Sequence, residues 1–329
     1  MLLLSTSLRD ASAGECSLPA TGDDCDGNGV LDRCEVPRVD FSGNLRTLPM
    51  SSPENTALGD FDGDGKLDIA VGSPTERLVT IFHQRPGRTF APGLVVPGTN
   101  HARWIVAADF DRDGDTDLLT YGGFQPAALT IFRNQGNGVF TPTATSFGRE
   151  LSRGVPLDLD RDGDADVLAL GYGIHQGVYS FLNDGTGKLH FHKSSSLDSP
   201  YPDDFGTADL DKDGDTDAVL TDYRTAMLLR TDGKGHVEVE ALSVTASSSR
   251  RLALADLDAD LDVDLVVSLP TANAVEVYRN PGDGKFGASE HLTYPSLFEA
   301  SPLTSVNLDT DRADEVLLFT RGNVRVLEQ

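Results

Sequence analysis

Cysteine is scarce in this 329-residue chain: there are three, and Cys16, Cys25 and Cys34 all fall near the start. Everything after Cys34 must therefore be held together without disulfides or thiolate-bound metal. Aromatic residues are also few, at 7% with a single Trp, and the apolar fraction is a modest 39%. That composition suits short strands and many turns rather than one thick core. No apolar stretch approaches the ~20 residues a membrane-crossing helix requires. Basic residues number 27 against 52 acidic ones, a net charge of −25. That charge argues against nucleic acid and anionic membrane as partners, since both need a basic surface.

What the chain has in abundance is one line written six times. Asp60-Phe-Asp62-Gly-Asp64-Gly-Lys66-Leu-Asp68 opens the series, and further copies begin at Asp109, Asp158, Asp209, Asp256 and Asn307, spaced 49, 49, 51, 47 and 51 residues apart. The six copies hold 28 of the 52 acidic residues, so the charge is stored in the loops and not in a tail. Each copy runs into an apolar segment such as Ile69-Ala-Val71, Leu118-Leu119 or Leu265-Val-Val267. Length alone suggests two domains, but a fixed period of this size overrides it.

The spacing is that of a calcium loop. Ca²⁺ takes six to eight hard oxygens at ~2.3–2.6 Å. Alternate carboxylates at positions 1, 3 and 5 converge on one point, glycine at 6 makes the turn, residue 7 offers a carbonyl, and the acid at 9 closes the shell. The candidate ligands are Asp60, Asp62, Asp64, Lys66 (by its carbonyl) and Asp68; Asp109, Asp111, Asp113, Asp115 and Asp117; Asp158, Asp160, Asp162, Asp164 and Asp166; Asp209, Asp211, Asp213, Asp215 and Asp217; and Asp256, Asp258, Asp260, Asp262 and Asp264. The fifth copy has Leu261 for the glycine, and the sixth has Asn307 first, Arg312 for the glycine and Glu315 last, so weaker or absent metal is expected there. The alternative is a set of Asp-rich turns capped by their own side chains. Packing so many carboxylates without a cation is electrostatically costly, which favours the metal. Strands flank every copy, which excludes a helical EF-hand. Six Ca²⁺ would halve the charge imbalance.

A further copy, Asp24-Cys25-Asp26-Gly-Asn28-Gly-Val-Leu-Asp32, stands apart with Cys25 and Cys34 around it. Asp24, Asp26, Asn28 and Asp32 fit calcium equally well. A Cys25–Cys34 bridge would close this loop; Cys16 either is left over or pairs instead, and free thiols are the other alternative. Met1-Leu-Leu-Leu4 followed by Ala11-Ser-Ala13 reads as the stub of a secretory signal, although it lacks a basic start and its apolar part is short. The expected organisation is a signal-like or disordered segment at 1–15, a Cys-flanked calcium loop at 16–37 and a repeat domain at 38–329.

The second repeat shows the expected unit: a strand over Arg103–Ala108, the Asp loop, a strand over Leu118–Tyr121, a third over Ala128–Arg133, a hairpin at Asn134-Gln-Gly-Asn-Gly138 and a fourth strand over Val139–Ser146. Gly and Asn in that hairpin accept the positive φ it demands. The hairpin recurs at Asn183–Gly187, Thr231–Gly235 and Asn280–Gly284, with a looser copy at Gln84–Gly87. Four short strands per repeat is the pattern of a propeller blade, which must stack on its neighbours around an axis. The expected fold is all-β: a propeller of six four-stranded blades. The sixth repeat is short of its outer strand, and the segment Asp40–Leu48 is expected to supply it, closing the ring without an open edge. Seven blades is the alternative.

These repeats resemble the FG-GAP/VCBS family, the propeller repeats of integrin α-subunits and of many secreted bacterial proteins. The likeness rests on Phe61-Asp-Gly-Asp-Gly65 followed by Val71-Gly-Ser-Pro74, and on the Asn-x-Gly-x-Gly-x-Phe hairpins. It covers Asp40–Gln329, and Asp24–Glu35 is similar to Asp/Asn-rich calcium repeats that accompany such propellers. The resemblance implies calcium on one face of the ring, ligand on the other, and a secreted or cell-surface location. It implies no single function, since adhesion modules, lectins and lyase propellers all belong to the family.

Five residues before each Asp loop stand Asn55, Trp104, Arg153, Asp204, Arg251 and Pro302, which should ring the channel mouth away from the calcium. Tyr121, Phe124, Tyr172, His175, Tyr223 and Arg224 lie on the neighbouring connections. Aromatics beside Arg and Asp suit sugar stacking or docking of a peptide side chain; the plainer reading is that they cap the channel. No catalytic set emerges: His190 and His192 share one strand face, and the serines lack a G-x-S-x-G setting. The expected function is a secreted, calcium-stabilised binding or adhesion module for a glycan or protein ligand. A polysaccharide lyase or other carbohydrate-active enzyme on the same frame is the alternative.

Overall fold

The structure is a computed structural model that describes residues 48–50, 52–86, 89–96, 102–122, 128–171, 173–197, 204–222, 226–242, 251–269, 272–293, 303–306, 313–320 and 323–327. Ser51–Gln329 forms one compact unit and Leu2–Met50 another. Of the latter only residues 48–50 are described, so the separate Asp24 loop, all three cysteines, the signal-like start and nearly all of the proposed closing strand lie outside the described residues.

Among the described residues five antiparallel sheets have four strands each, and a sixth has three. In the second sheet the strands are Ala102–Ala108, Asp117–Gly122, Ala128–Asn134 and Phe140–Ser146, paired in chain order. The third (from Leu151–Leu157), fourth (from Asp204–Ala208) and fifth (from Leu252–Ala255) repeat this meander. The last holds Leu303–Val306, Glu315–Thr320 and Asn323–Leu327 and lacks an outer partner among the described residues, as the short sixth repeat implied. The first sheet differs in one respect. Its looser hairpin becomes a separate ribbon, Gln84–Arg85 against Thr89–Phe90, and the outer strand is Leu94–Val96.

Strand periodicity explains how the sheets stack. Adjacent residues of a strand point to opposite faces, so a strand buried on both sides must be apolar throughout. Asp166–Gly171 is buried at all six positions. Leu118 packs with Ala57, Ile81 and Phe132 between the first and second sheets, whereas Leu119 packs with Val167 and Phe181 between the second and third. Three more apolar clusters fill the seams from the third sheet to the sixth. Outer strands such as Phe140–Ser146 revert to polar, exposed residues after the first position. This is the propeller-type stacking expected, all-β and built of repeated meanders. It sets the five described Asp loops at the same place, between the first and second strand of each sheet.

Candidate functional site

In each described loop the carboxylates are first used to shape the backbone. The position-1 Asp accepts the position-6 N–H: Gly65 to Asp60 at 2.7 Å, Gly114 to Asp109 at 3.0 Å, Gly163 to Asp158 at 3.0 Å and Gly214 to Asp209 at 3.2 Å. Those glycines have φ from 79° to 91°, the left-handed region that other residues avoid. The fifth loop keeps the same bond, Leu261 to Asp256 at 2.9 Å, and forces Leu261 to φ 71° with its side chain 66% exposed. Losing the glycine therefore strains that loop without changing its path.

The ninth residue is a bracket as well as a candidate ligand. Asp117 is fully buried; Oδ1 accepts the Asn134 N–H at 2.7 Å and Oδ2 the Phe110 N–H at 2.9 Å. Asp166 does the same with Asn183 and Leu159, Asp217 with Thr231 and Leu210, Asp264 with Asn280 and Leu257, and Asp68 with Gln84 and Phe61. One carboxylate thus ties the loop's second residue to the end of the third strand. Burial raises its pKa despite these bonds: Asp117 and Asp217 are pushed up to about 6 and Asp166 to about 7. Burial, then neighbouring carboxylates, also raise Asp111, Asp160 and Asp258.

The same carboxylates also converge on one another. Asp109, Asp111 and Asp117 each place an oxygen within 4.8 Å of the others, as do Asp158, Asp160 and Asp166, the trio Asp60, Asp62 and Asp64, and the trio Asp209, Asp211 and Asp213. Oδ1 of Asp62, Asp109, Asp111, Asp158, Asp160 and Asp256 is buried with no hydrogen-bond donor. A buried, unpaired carboxylate oxygen is costly unless a cation meets it. Hard oxygens in such a set suit a divalent ion of the calcium class, so the residues fit the metal expected for them.

Sequence reasoning missed three sets of residues around these loops. The first is the asparagine ending the third strand. Asn134 Nδ2 donates to Thr116 O of its own loop at 3.1 Å and to Phe61 O of the preceding loop at 2.9 Å. Asn183 joins Ala165 and Phe110 in the same way, and Asn280 joins Val263 and Leu210. Where Thr231 replaces it, Gly235 N–H reaches Leu159 O instead, at 2.8 Å. At the sixth sheet, Asp314 N–H donates to Asp256 O at 2.6 Å.

The second set links loop to loop. The Arg or Lys at position 4 pairs with the Asp at position 7 of the next loop: Arg112 with Asp164 at 2.5 Å, Arg161 with Asp215, and Lys212 with Asp262. All three basic residues sit at φ near 60°, an unfavourable conformation for them. The signal was in the sequence: Ala259, in the fifth loop, is followed by Ala313 at the matching place in the sixth. The third set is the residue before the asparagine position, His83, Arg133, Leu182, Arg230 or Arg279, four of which face the loop's own carboxylates.

At the other end of the first strands, the expected ring residues touch one another across sheets. Trp104 Nε1–H donates to Gly154 O at 2.7 Å, and the Arg153 guanidinium lies 5.2 Å from the Trp104 ring centre. Arg153 and Arg251 approach Asp204 Oδ1 at 3.5 and 3.8 Å, while Asp204 Oδ2 accepts the Leu252 N–H at 3.0 Å. Asn55 begins the first strand of the first sheet, at the matching end. Tyr121 lies in the packing between the second and third sheets, 5% exposed, and its hydroxyl accepts the Leu151 N–H. His175 is half-buried, and its carbonyl accepts the Tyr179 hydroxyl at 2.8 Å. Tyr172, Tyr223, Phe124, Arg224 and Pro302 lie outside the described residues. His190 is exposed on an outer strand, 3.4 Å from Asp184.

Solved structures with the same architecture include a lectin of Agrocybe aegerita described as recognising non-reducing terminal N-acetylglucosamine, 20% identical with a TM-score of 0.59 over 82% of this chain and 79% of that one. Virginiamycin B lyase from Staphylococcus aureus is 9% identical, with a TM-score of 0.53 over 85% of each chain. A rhamnogalacturonan lyase of Bacillus licheniformis is 16% identical, with a TM-score of 0.50 over 82% of this chain and 56% of that one. At these identities the likeness concerns the fold. No curated protein matches the sequence. The FG-GAP-like repeat matches residues 60–120, 158–220 and 209–267, more than half of the chain. With that repeat matched in three places, each match running from one Asp loop through the next across four-stranded sheets, the chain belongs to the FG-GAP-like repeat family.

Proposed function

We propose that this chain is a calcium-stabilised propeller used as a binding module, secreted or at the cell surface, for a glycan or protein ligand. The Asp loops are its fastenings: the position 1, 3, 5 and 9 carboxylates would hold the ion, and its charge would offset the buried oxygens that now lack donors. Binding belongs to the opposite strand ends. The observation that carries this reading is the line Trp104–Arg153–Asp204–Arg251, an indole, two guanidinium groups and a carboxylate set side by side by three successive sheets and a fourth. Planar faces beside charged donors and acceptors are what sugar rings and peptide side chains dock against. The lectin among the structural neighbours is compatible with that use of the fold, and no helix among the described residues is long and apolar enough to cross a membrane.

Arg251 is the residue to test, because Trp104 and Arg153 are also tied into the packing. A glycan array and a panel of extracellular proteins would be screened with wild type and Arg251→Ala. The expected result is a ligand bound by wild type and lost by Arg251→Ala at unchanged melting temperature. A ligand held equally by both would remove this site from the account. Turnover of a uronate polymer in the same screen would replace the binding reading with the carbohydrate-active enzyme.

A further inference from the structure

The five described loops share a pattern of carboxylates but differ in what the protein sets against them. In the first, Lys66 Nζ meets Asp64 at 2.6 Å, Arg85 meets Asp62 at 3.2 Å, and His83 Nδ1 lies 2.9 Å from Asp68. In the fourth, Arg230 meets Asp211 at 2.8 Å. In the fifth, Arg279 meets Asp264 at 2.8 Å and Asp258 at 3.5 Å. The second has only Arg133, 3.9 Å from Asp111. The third has Leu182 at the corresponding place, half-buried among the apolar side chains of the next seam. Among the described residues the only cation paired with its carboxylates is Arg112, on Asp164 at position 7 and not at positions 1, 3, 5 or 9.

The unpaired oxygens follow the same division. Oδ1 at both position 1 and position 3 is buried without a donor in the second loop (Asp109, Asp111) and the third (Asp158, Asp160). The first and fifth loops each leave one such oxygen, on Asp62 and Asp256, and at these two positions the fourth leaves none. Calcium affinity in loops of this kind is tuned by the charge of the ligand set. A guanidinium or ammonium already on a ligand removes part of that charge and repels the arriving ion.

We propose that the second and third loops are the high-affinity divalent-cation sites of this repeat array, and that in the first, fourth and fifth the protein's own Lys and Arg side chains take over much of the ion's charge-balancing role. This rests on the reading of the loops as cation sites, and the test separates the two claims. The position-6 amides report each loop individually, since every one donates to its position-1 carboxylate. Calcium would be titrated into chelator-treated, ¹⁵N-labelled full-length protein and followed by TROSY NMR. Gly114 and Gly163 are expected to reach half-shift at ~10-fold lower calcium than Gly65, Gly214 and Leu261. Leu182→Arg, which restores the cation found in the other sheets, should move the Gly163 midpoint up toward that of Gly214. Gly65 or Gly214 responding as early as Gly163 would overturn the assignment while leaving the loops as calcium sites. No amide responding would overturn the calcium reading itself.

Discussion

Single side chains in this protein hold two structural positions at once. Trp104 shows this at the strand ends away from the Asp loops: its N–H is bonded to Gly154 in the next sheet while its face receives Arg153. The sequence marked Trp104 as unusual because it is the only tryptophan on a repetitive frame, but a lone residue carries no record of the partner its N–H finds. Trp104→Phe keeps most of the apolar area and removes the donor, leaving a carbonyl unpaired. Its expected effect is a loss of about 1 kcal/mol in chemical denaturation, with the fold retained. The clustering of the Asp-loop carboxylates was legible for the opposite reason. Metal chemistry requires oxygens at fixed spacing, so Asp109, Asp111, Asp113 and Asp117 announce themselves locally. The bracketing by Asp117 did not, because its partner Asn134 is 17 positions away and the register of the third strand is written nowhere in the loop.

At the scale of the element, the four-stranded sheet was readable almost strand by strand. Asp117–Gly122 and Ala128–Asn134 extend the expected strands by one or two residues. The exception is the first sheet. Pro86 lies in a hairpin without the Asn-x-Gly-x-Gly pattern, and the outer strand shifts to Leu94–Val96. What the repeat pattern concealed is how one sheet grips the next near the loops. Asn183 bonds its own loop and the previous one with a single amide, and nothing else among the described contacts satisfies both carbonyls there. Asn183→Ala removes the donor to the buried Phe110 carbonyl and the part-buried Ala165 carbonyl, and a loss of about 2 kcal/mol is expected with or without calcium. Equal stability of this variant in urea unfolding would show that the seam is held by apolar packing alone. The loop-to-loop pairs from Arg112, Arg161 and Lys212 are exposed on the basic side, so each contributes little by itself.

For the whole molecule, the governing quantity is the net charge of −25 gathered into repeated loops. Asp117, Asp166 and Asp217 have folded-state pKa values raised from 3.8 to about 6 or 7. A raised carboxylate pKa means that the folded state binds protons more readily than the unfolded chain between those values and 3.8. Without calcium, these groups therefore make the protein more stable as pH falls from above 7 toward 4, and less stable as it rises. On the proposed reading calcium would compete for the same oxygens, so the melting-temperature gain it would produce should shrink between pH 7.5 and pH 5. Scanning calorimetry with and without calcium at both values measures the difference; a gain that grows on acidification would contradict the linkage.

The central claim is that the repeated Asp line fastens the sheets by holding metal, while recognition lies at the other strand ends. Thermal unfolding of the same protein in millimolar calcium and in excess chelator, at neutral pH, tests it most directly. An ion bound only by the folded state adds stability by mass action. The account predicts a clear drop in melting temperature on chelation, reversed by returning calcium. An identical melting temperature in both conditions would contradict it.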